Sequence, residues 1–527
     1  MNSPLGTIEI PAIPTFASER DQLAWLIARH DELEYENAEL RFKNLLWQNQ
    51  LYGKKSERMR QHDVEIGQQR LFDTPVADDV TGPDIADDEK KIKRKRGDAQ
   101  KRTHARKPIN PTLDTIVREH GATGPRQAAD GTPMAIISWD ERRRLHMIPE
   151  QVVCLLDRYA IWGYSDTRET VETTPILPSI IPGGKLSDDF LCEIARRKYL
   201  LSLPLHRQLR DLNAIGAELA VSTMCDGIRA LATFLEPVHL AIRAQILRAR
   251  LMHVDETTMR QQSDEYGIVL RYLWAWHADR QVSFHYGGRS AEEIRAILAS
   301  MEPPSDGDPP RSAVTDGYAA YDAPFREANI RHYGCWSHIR RDFKPLAVQM
   351  QHAKEIFHEI STLYRCEKAV KKAIEKQGLS GDAAEACRLE YRQRDAKPAL
   401  NRIAEYIERY HPLYNPKGLL GSALTKLANQ FGKLRIYAET GHVPIDNNTV
   451  ERDMRQVAIG RKNYLFVGSE DAGTWCAIMY SLIESARLSN LDVRTYLARA
   501  VAGIHAGEDP ATLTPAALRE MMPAALG

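Results

Sequence analysis

Apolar residues recur at heptad spacing near the start of the chain. Leu26, Leu33, Leu40 and Trp47 stand seven apart, with Leu23, His30, Asn37, Asn44 and Leu51 at the companion seam positions. After a flexible stretch over 1–20, this pattern predicts a coiled-coil (leucine-zipper-like) helix over 21–62, in which seam asparagines fix register at some cost in stability. An ordinary surface helix is the competing reading. Between 111 and 176, short alternating runs such as EQVVCLL and RYAIWGY, broken by turn residues, predict a small β-containing module. The Pro- and Gly-marked ILPSIIPGGKLSD leads into a helical stretch over 177–245. There LPLHRQLRDLNAIGAELAVSTMCDGIRAL reads as a helix, a turn around Gly216 and a second helix capped by Ser222. Both a plain helical hairpin and a DNA-binding helix-turn-helix fit it.

The pattern changes over 246–345. ARLMHVDET, LRYLWAWHA and VSFHYGG read as three successive strands, SAEEIRAILAS as a helix, and SAVTDGYAAYD as a fourth strand ending in a turn, which together suggest a mixed sheet. Residues 346–440 are helical almost throughout, an insertion interrupted around Gly378 and at HPLYNPKG. A return segment over 441–480 opens with DNNTVERDMRQVAIGRKNYLFVGS. Asn448 and Glu451 there fit a capping box, and Val450, Met454 and Val457 form an apolar helical stripe. The final segment, 481–527, is helical again.

A chain of 527 residues divides into roughly three or four domains. Lys plus Arg equals Asp plus Glu at 71 each, so a nucleic-acid surface has to come from local segregation of charge. A linker over 63–110 provides it. The chain is acidic from Asp73 to Glu89, then turns basic in KKIKRKRGDAQKRTHARK, with Lys93, Arg94, Lys95 and Arg96 at its densest point. Such a run neutralises phosphates without reading sequence. Cysteines 154, 192, 225, 335, 366, 387 and 476 are scattered and form no CxxC pair, which argues against a disulfide framework and a four-cysteine zinc site and for the reducing cytoplasm. No charged-then-apolar leader opens the chain and no apolar run approaches the ~18 residues of a span, so no membrane association is expected.

Strand alternation puts Leu251, His253 and Asp255 on one face, with Asp255 at the exit end of its strand; Asp316 sits where a strand gives way to a glycine turn. Singly, these read as polar strand terminators and Glu451 as a helix cap. Together they supply two aspartates at strand ends and one glutamate on a returning helix, a set of oxygen ligands suited to two divalent ions and in-line phosphodiester chemistry. Arg452, Arg455, Arg461 and Lys462 are then candidate contacts to DNA phosphates.

Four segments in order, HVDET, TDGYAAY, CWSHIRRDF and DNNTVERDMRQVAIGRKNYLFVGS, closely match transposases of the insertion-sequence-66 family, which the chain resembles over nearly its whole length. The resemblance implies an α/β fold with an RNase H-like core of the DDE type, Asp255, Asp316 and Glu451 as its triad, and a helical insertion before the third member. It implies two Mg²⁺ (or Mn²⁺) ions, cleavage of double-stranded DNA at the ends of a mobile element and transfer of the freed 3′ hydroxyl to target DNA. Companion small proteins and self-association through the N-terminal helix, which includes LYGKKSER, are also implied. The pattern departs at 111–176. Only Cys154 lies there, so the family's zinc-binding cysteines are missing and no zinc is expected. Cys335 and His338 match a family Cys-x-x-His pair, but two side chains do not complete a zinc site, and packing beside the active site is the favoured role. The alternatives are a transposition-inactive DNA-binding or assembly protein that keeps the fold, and a general RNase H-like nuclease.

Overall fold

The computed structural model describes residues 115–521 apart from 122, 123, 125, 149, 150, 169, 264 and 304–308. The coiled-coil helix and the linker bearing Lys93, Arg94, Lys95 and Arg96 lie outside the described residues. The chain forms two units, the described residues falling into 115–335 with 442–521, and 336–441.

The first unit opens with strands β1 (Thr115–His120), β2 (Arg126–Gln127), β3 (Pro133–Ile148), β4 (Gln151–Tyr164) and β5 (Thr170–Thr173). β4 is central, parallel to β1 and antiparallel to β3 and β5. Its run Val152–Leu156 is buried without alternation, as expected for a strand covered on both faces. Fully buried Asp157 is held by hydrogen bonds with Arg118, His120 and Arg144.

Helix α1 (Asp188–Tyr199) starts at Ser187, whose hydroxyl accepts from the Phe190 amide at 3.3 Å. Then come α2 (Leu205–Ala214) and α3 (Val221–Arg248), joined through Gly216 at φ 92°. The helical hairpin is therefore present, but its second helix is capped at Ala220 and Ser222 falls inside the first turn. α3 is 28 residues long and buries Met224, Ile228, Leu231, Leu235, Val238, Ile242 and Ile246, a stripe at three- and four-residue spacing that belongs to the core.

The second sheet contains β6 (Leu251–Ser263), β7 (Gly267–Ala278) and β8 (Gln281–Gly287). After helix α4 (Ala291–Leu298) come β9 (Arg311–Thr315), helix α5 (Asp322–Glu327) and β10 (Ile330–Gly334). Its spatial order is β10-β9-β6-β7-β8. β6, β7 and β8 are antiparallel neighbours, whereas β9 runs parallel to both β6 and β10. The mixed sheet expected over 246–345 thus has one strand more than the hydrophobic pattern announced, the edge strand β10.

The other unit is helical: α6 (Trp336–Leu346), α7 (Gln351–Gln377), α8 (Gly381–Tyr391), α9 (Lys397–Tyr410) and α10 (Leu419–Arg435). A π-helical turn at Arg392–Ala396 links α8 to α9. It buries the Arg392 guanidinium, which pairs with Glu367 and donates to the carbonyls of Tyr437 and Thr440 at 3.1 and 2.7 Å.

The chain returns to the first unit as α11 (Asn448–Tyr464), α12 (Glu470–Leu488), α13 (Val493–His505) and α14 (Pro515–Met521). α12 covers the edge strand β8: the Ser481 and Ser485 hydroxyls, one helical turn apart, accept from the amides of Phe284 and Val282 at 2.8 and 3.0 Å. These bonds satisfy donors that a bare sheet edge would leave unpaired. Among the described residues no helix is long and apolar enough to cross a membrane.

Candidate active site

Parallel pairing aligns β6 with β9 through Leu251–Ser312, Met252–Ala313 and His253–Val314. Continuing that register two residues brings Asp255 level with Asp316. β9 ends at Thr315, so Asp255 lies where β6 loses its parallel neighbour, well inside a strand that runs on to Ser263. This corrects the expectation that Asp255 ends its strand: the chain that stops there is β9. Asp316 follows directly, in a turn made by Gly317 at φ 89°, and its carboxylate accepts from the Tyr318 amide at 2.9 Å.

Glu451 is brought in by α11, which is fastened along β6. Buried Asn447, at the helix start, donates through its amide nitrogen to the Val254 carbonyl at 2.8 Å, and its amide oxygen lies 2.9 Å from His253 Nδ1. Its backbone amide donates to Cys335 Sγ at 3.2 Å. Two residues beyond Glu451, buried Asp453 lies 2.6 Å from His277 Nδ1 on β7. Near the far end of the helix Arg461 donates to Thr257 Oγ1 and to the carbonyl and hydroxyl of Thr258 at 2.7–3.0 Å. From Asn447 to Arg461 is about 20 Å of helix, matching the ~17 Å of strand from His253 to Thr258. Helix and strand therefore run side by side, and Glu451, on the first turn of the helix, is near enough for its charge to act on Asp255.

The capping-box expectation does not hold. Asn447 is the capping residue and makes no side-chain cap, and Asn448 instead donates to Asp446 at 2.9 Å. The reciprocal pair that the Asn448–Glu451 spacing suggested is therefore not formed.

Electrostatics bind the acids into one group. Burial raises the Asp255 pKa well above its ordinary value, and Asp316, Glu256 and Glu451 push it further. Glu256, overlooked beside Asp255 in the sequence, is also raised, first by burial and then by Asp316, against hydrogen bonds from Tyr321 at 2.7 Å and Arg289. Burial takes His253 down to about 4, so the imidazole that meets Asn447 is neutral at pH 7. A buried carboxylate crowded by three others is a site that a cation would stabilise, and the donors are the hard oxygens that Mg²⁺ or Mn²⁺ prefers.

Of the candidate DNA contacts near Glu451, Arg452 and Lys462 are exposed and Arg455 is half-buried. Arg461 is half-buried and its Nη1 is taken up by Thr257 and Thr258, which fastens α11 to β6. Cys335 is buried after β10, and its Sγ accepts from the Asn447 amide. His338 lies in the first turn of α6 in the helical unit, where burial and the charges of Arg341 and Lys426 take it down to about 3. Asn447, Glu256 and Arg289 escaped sequence reasoning. The doubled asparagine before α11 and the second acid in VDET were the available signals.

The model of the Transposase IS66 family matches residues 183–474, more than half of the chain and a span that includes all three expected triad members. Similar curated proteins come from Sinorhizobium fredii (strain NBRC 101917 / NGR234). Uncharacterized protein y4hP is 26% identical over 64% of this chain, and the chain spans 62% of y4hP. Uncharacterized protein y4qI is 25% identical over 86% of this chain and 84% of its own length.

Proposed function

Because this chain belongs to the IS66 transposase family, we propose that it cleaves DNA at insertion-sequence ends and joins the freed 3′ hydroxyls to target DNA. Asp255, Asp316 and Glu451 would hold two Mg²⁺ or Mn²⁺ ions. The observation that carries this reading is the β6–β9 register, which brings Asp255 level with Asp316, together with the fastening along β6 of the helix that bears Glu451. The strand order, three antiparallel strands followed by two parallel ones on the other side of β6, supports an RNase H-like core, and 336–441 fits the insertion before the third acid.

When bound, paired divalent ions activate the attacking oxygen and stabilise the leaving oxygen of an in-line displacement. The protein's own part is positional. β6 and β9 fix two carboxylates by backbone pairing, and Asn447 with Arg461 holds the third in place before substrate arrives, so little reorganisation remains at the moment of reaction. Exposed Arg452 and Lys462, with Arg455, would attract the DNA backbone; Lys93, Arg94, Lys95 and Arg96 would add salt-sensitive affinity, and residues 21–62 would pair two chains for two ends.

The test is cleavage and strand joining on duplexes that copy the DNA flanking the gene. Asp255→Asn, Asp316→Asn and Glu451→Gln should each abolish both reactions and leave end binding intact. A folded Glu451→Gln protein that cuts at near wild-type rate removes the third member of the triad. Wild-type protein that binds ends and never cuts them would favour the DNA-binding or assembly role.

A further inference from the structure

Arg289 lies between β8 and α4, on a backbone pinned on its N-terminal side. The Gly288 carbonyl accepts from Trp274 Nε1 at 2.9 Å and the Gly288 amide donates to Glu293 at 2.8 Å. The guanidinium is fixed as firmly. Its Nε and Nη2 both donate to Glu256 Oε1, at 3.0 and 2.8 Å, while Tyr321 donates to the other oxygen of that carboxylate. Its carbon stands 4.1 Å from the ring centre of Tyr318 and 5.3 Å from that of Tyr272. The Tyr318 hydroxyl donates to the Arg289 carbonyl at 3.4 Å, and the Tyr318 amide to Asp316. Arg289 is therefore tied to neighbours of both aspartates, Glu256 beside Asp255 and Tyr318 beside Asp316. Yet its side chain is 38% exposed, and its Nη1 makes no hydrogen bond to any described residue.

We propose that Arg289 is a substrate-contacting residue, a pre-set clamp whose open Nη1 binds a DNA phosphate adjacent to the one that is cut. This rests on the reading of the site as a DNA-cleaving centre. With two divalent ions on Asp255, Asp316 and Glu451, Glu256 is the clustered carboxylate left over, and a cation bonded to it supplies attraction at the place where the strand must come close. Guanidinium suits the task because its planar fork can satisfy a carboxylate along one edge and a phosphate along another while its faces stack on aromatic rings. Lysine has the charge without that geometry. The tyrosines hold the plane, so the contact needs no ordering when DNA arrives.

The test uses the full chain with Mn²⁺ and duplex copies of the DNA flanking the gene, in a series where single phosphates around the cut are replaced by neutral methylphosphonates. In the wild type one flanking position should slow single-turnover cleavage on the order of 10²-fold, the scale expected when a group that positions the substrate is removed. Arg289→Ala should be slowed similarly on the unmodified duplex and become insensitive at that position alone. Arg289→Lys should fall between. The clamp is overturned if Arg289→Ala cuts at the wild-type rate. It is equally overturned if that variant is slowed but keeps the wild-type methylphosphonate profile, because Arg289 would then only neutralise Glu256. A wild-type profile with no sensitive flanking phosphate refutes it without any variant. Absence of wild-type cleavage strikes the DNA-cleaving reading itself, and the clamp with it.

Discussion

Replacing Asn447 with alanine removes a side chain that ties the start of α11 to the strand carrying Asp255. The asparagine is fully buried and makes two side-chain hydrogen bonds, at 2.8 Å to the Val254 carbonyl and 2.9 Å to His253 Nδ1. Each partner left buried and unsatisfied costs about 1–3 kcal/mol. Two such partners give a loss of roughly 2–6 kcal/mol, large against the stability of an ordinary domain. Urea unfolding followed by tryptophan emission reads it, since Trp274 and Trp276 on β7 are buried one strand away. Displacement of Glu451 should also lower single-turnover cleavage on the order of 10²-fold, a loss larger than partial unfolding at low urea can produce. Asn447→Asp keeps the acceptor for His253 but turns a carboxylate toward the Val254 carbonyl, so it should be no better than alanine. An Asn447→Ala protein within about 0.5 kcal/mol of wild type that cuts at full rate would refute the claim that this residue positions the third carboxylate.

Two further outcomes can be measured. Glu193 on α1 is 3% exposed; burial alone would raise it, but hydrogen bonds from Arg196, Arg197 and Arg494 outweigh that and hold it at about 2, against an ordinary 4.5. A depressed carboxylate stabilises the fold above its unfolded pKa and loses that contribution as pH falls toward 2, so Glu193→Gln should cost on the order of 3 kcal/mol at pH 7 and about half that at pH 3, measured by urea midpoints; a difference that grows on acidification contradicts the sign. Neutralising Lys93, Arg94, Lys95 and Arg96 should flatten the salt dependence of DNA binding by about 0.9 for each phosphate that is no longer neutralised and spare the preference for cognate ends; loss of that preference with an unchanged slope would mean the segment reads sequence.

How far the site was legible depends on how far apart in sequence its causes lie. Asp316 was readable because its turn is local, an aspartate and a glycine at the end of an apolar strand. The extent of β6 was not. Past Asp255 the sequence ETTMRQQS is mostly polar, yet Gln261 is buried, accepting from the Tyr286 hydroxyl at 3.0 Å, and the Val467 backbone pairs with Arg260 and Gln262. Those polar positions are strand because segments far away in the chain satisfy them. β10, IRHYG, escaped for a similar reason: its middle residues Arg331 and His332 break the apolar run, and parallel pairing with β9 supplies what its own pattern lacks.

The same reasoning explains why the cap pattern at Glu451 and the basic face at Arg461 did not reveal what these ends of the helix hold on to. A capping box and a basic helix face are local patterns, whereas the contacts that decide between roles join α11 to a strand roughly two hundred residues earlier in the chain. Asn447 spends its side chain on β6 and leaves the helix uncapped, and Arg461 gives up solvent for two threonines. Each forgoes the local role that its residue type favours, and in exchange the helix is fixed at both ends of the stretch that faces Asp255. Where two side chains give up the interactions their sequence context favours and both do so toward one strand, the position of that strand relative to the helix is what they stabilise. On the proposed function, the acid carried between them is the reason that position matters.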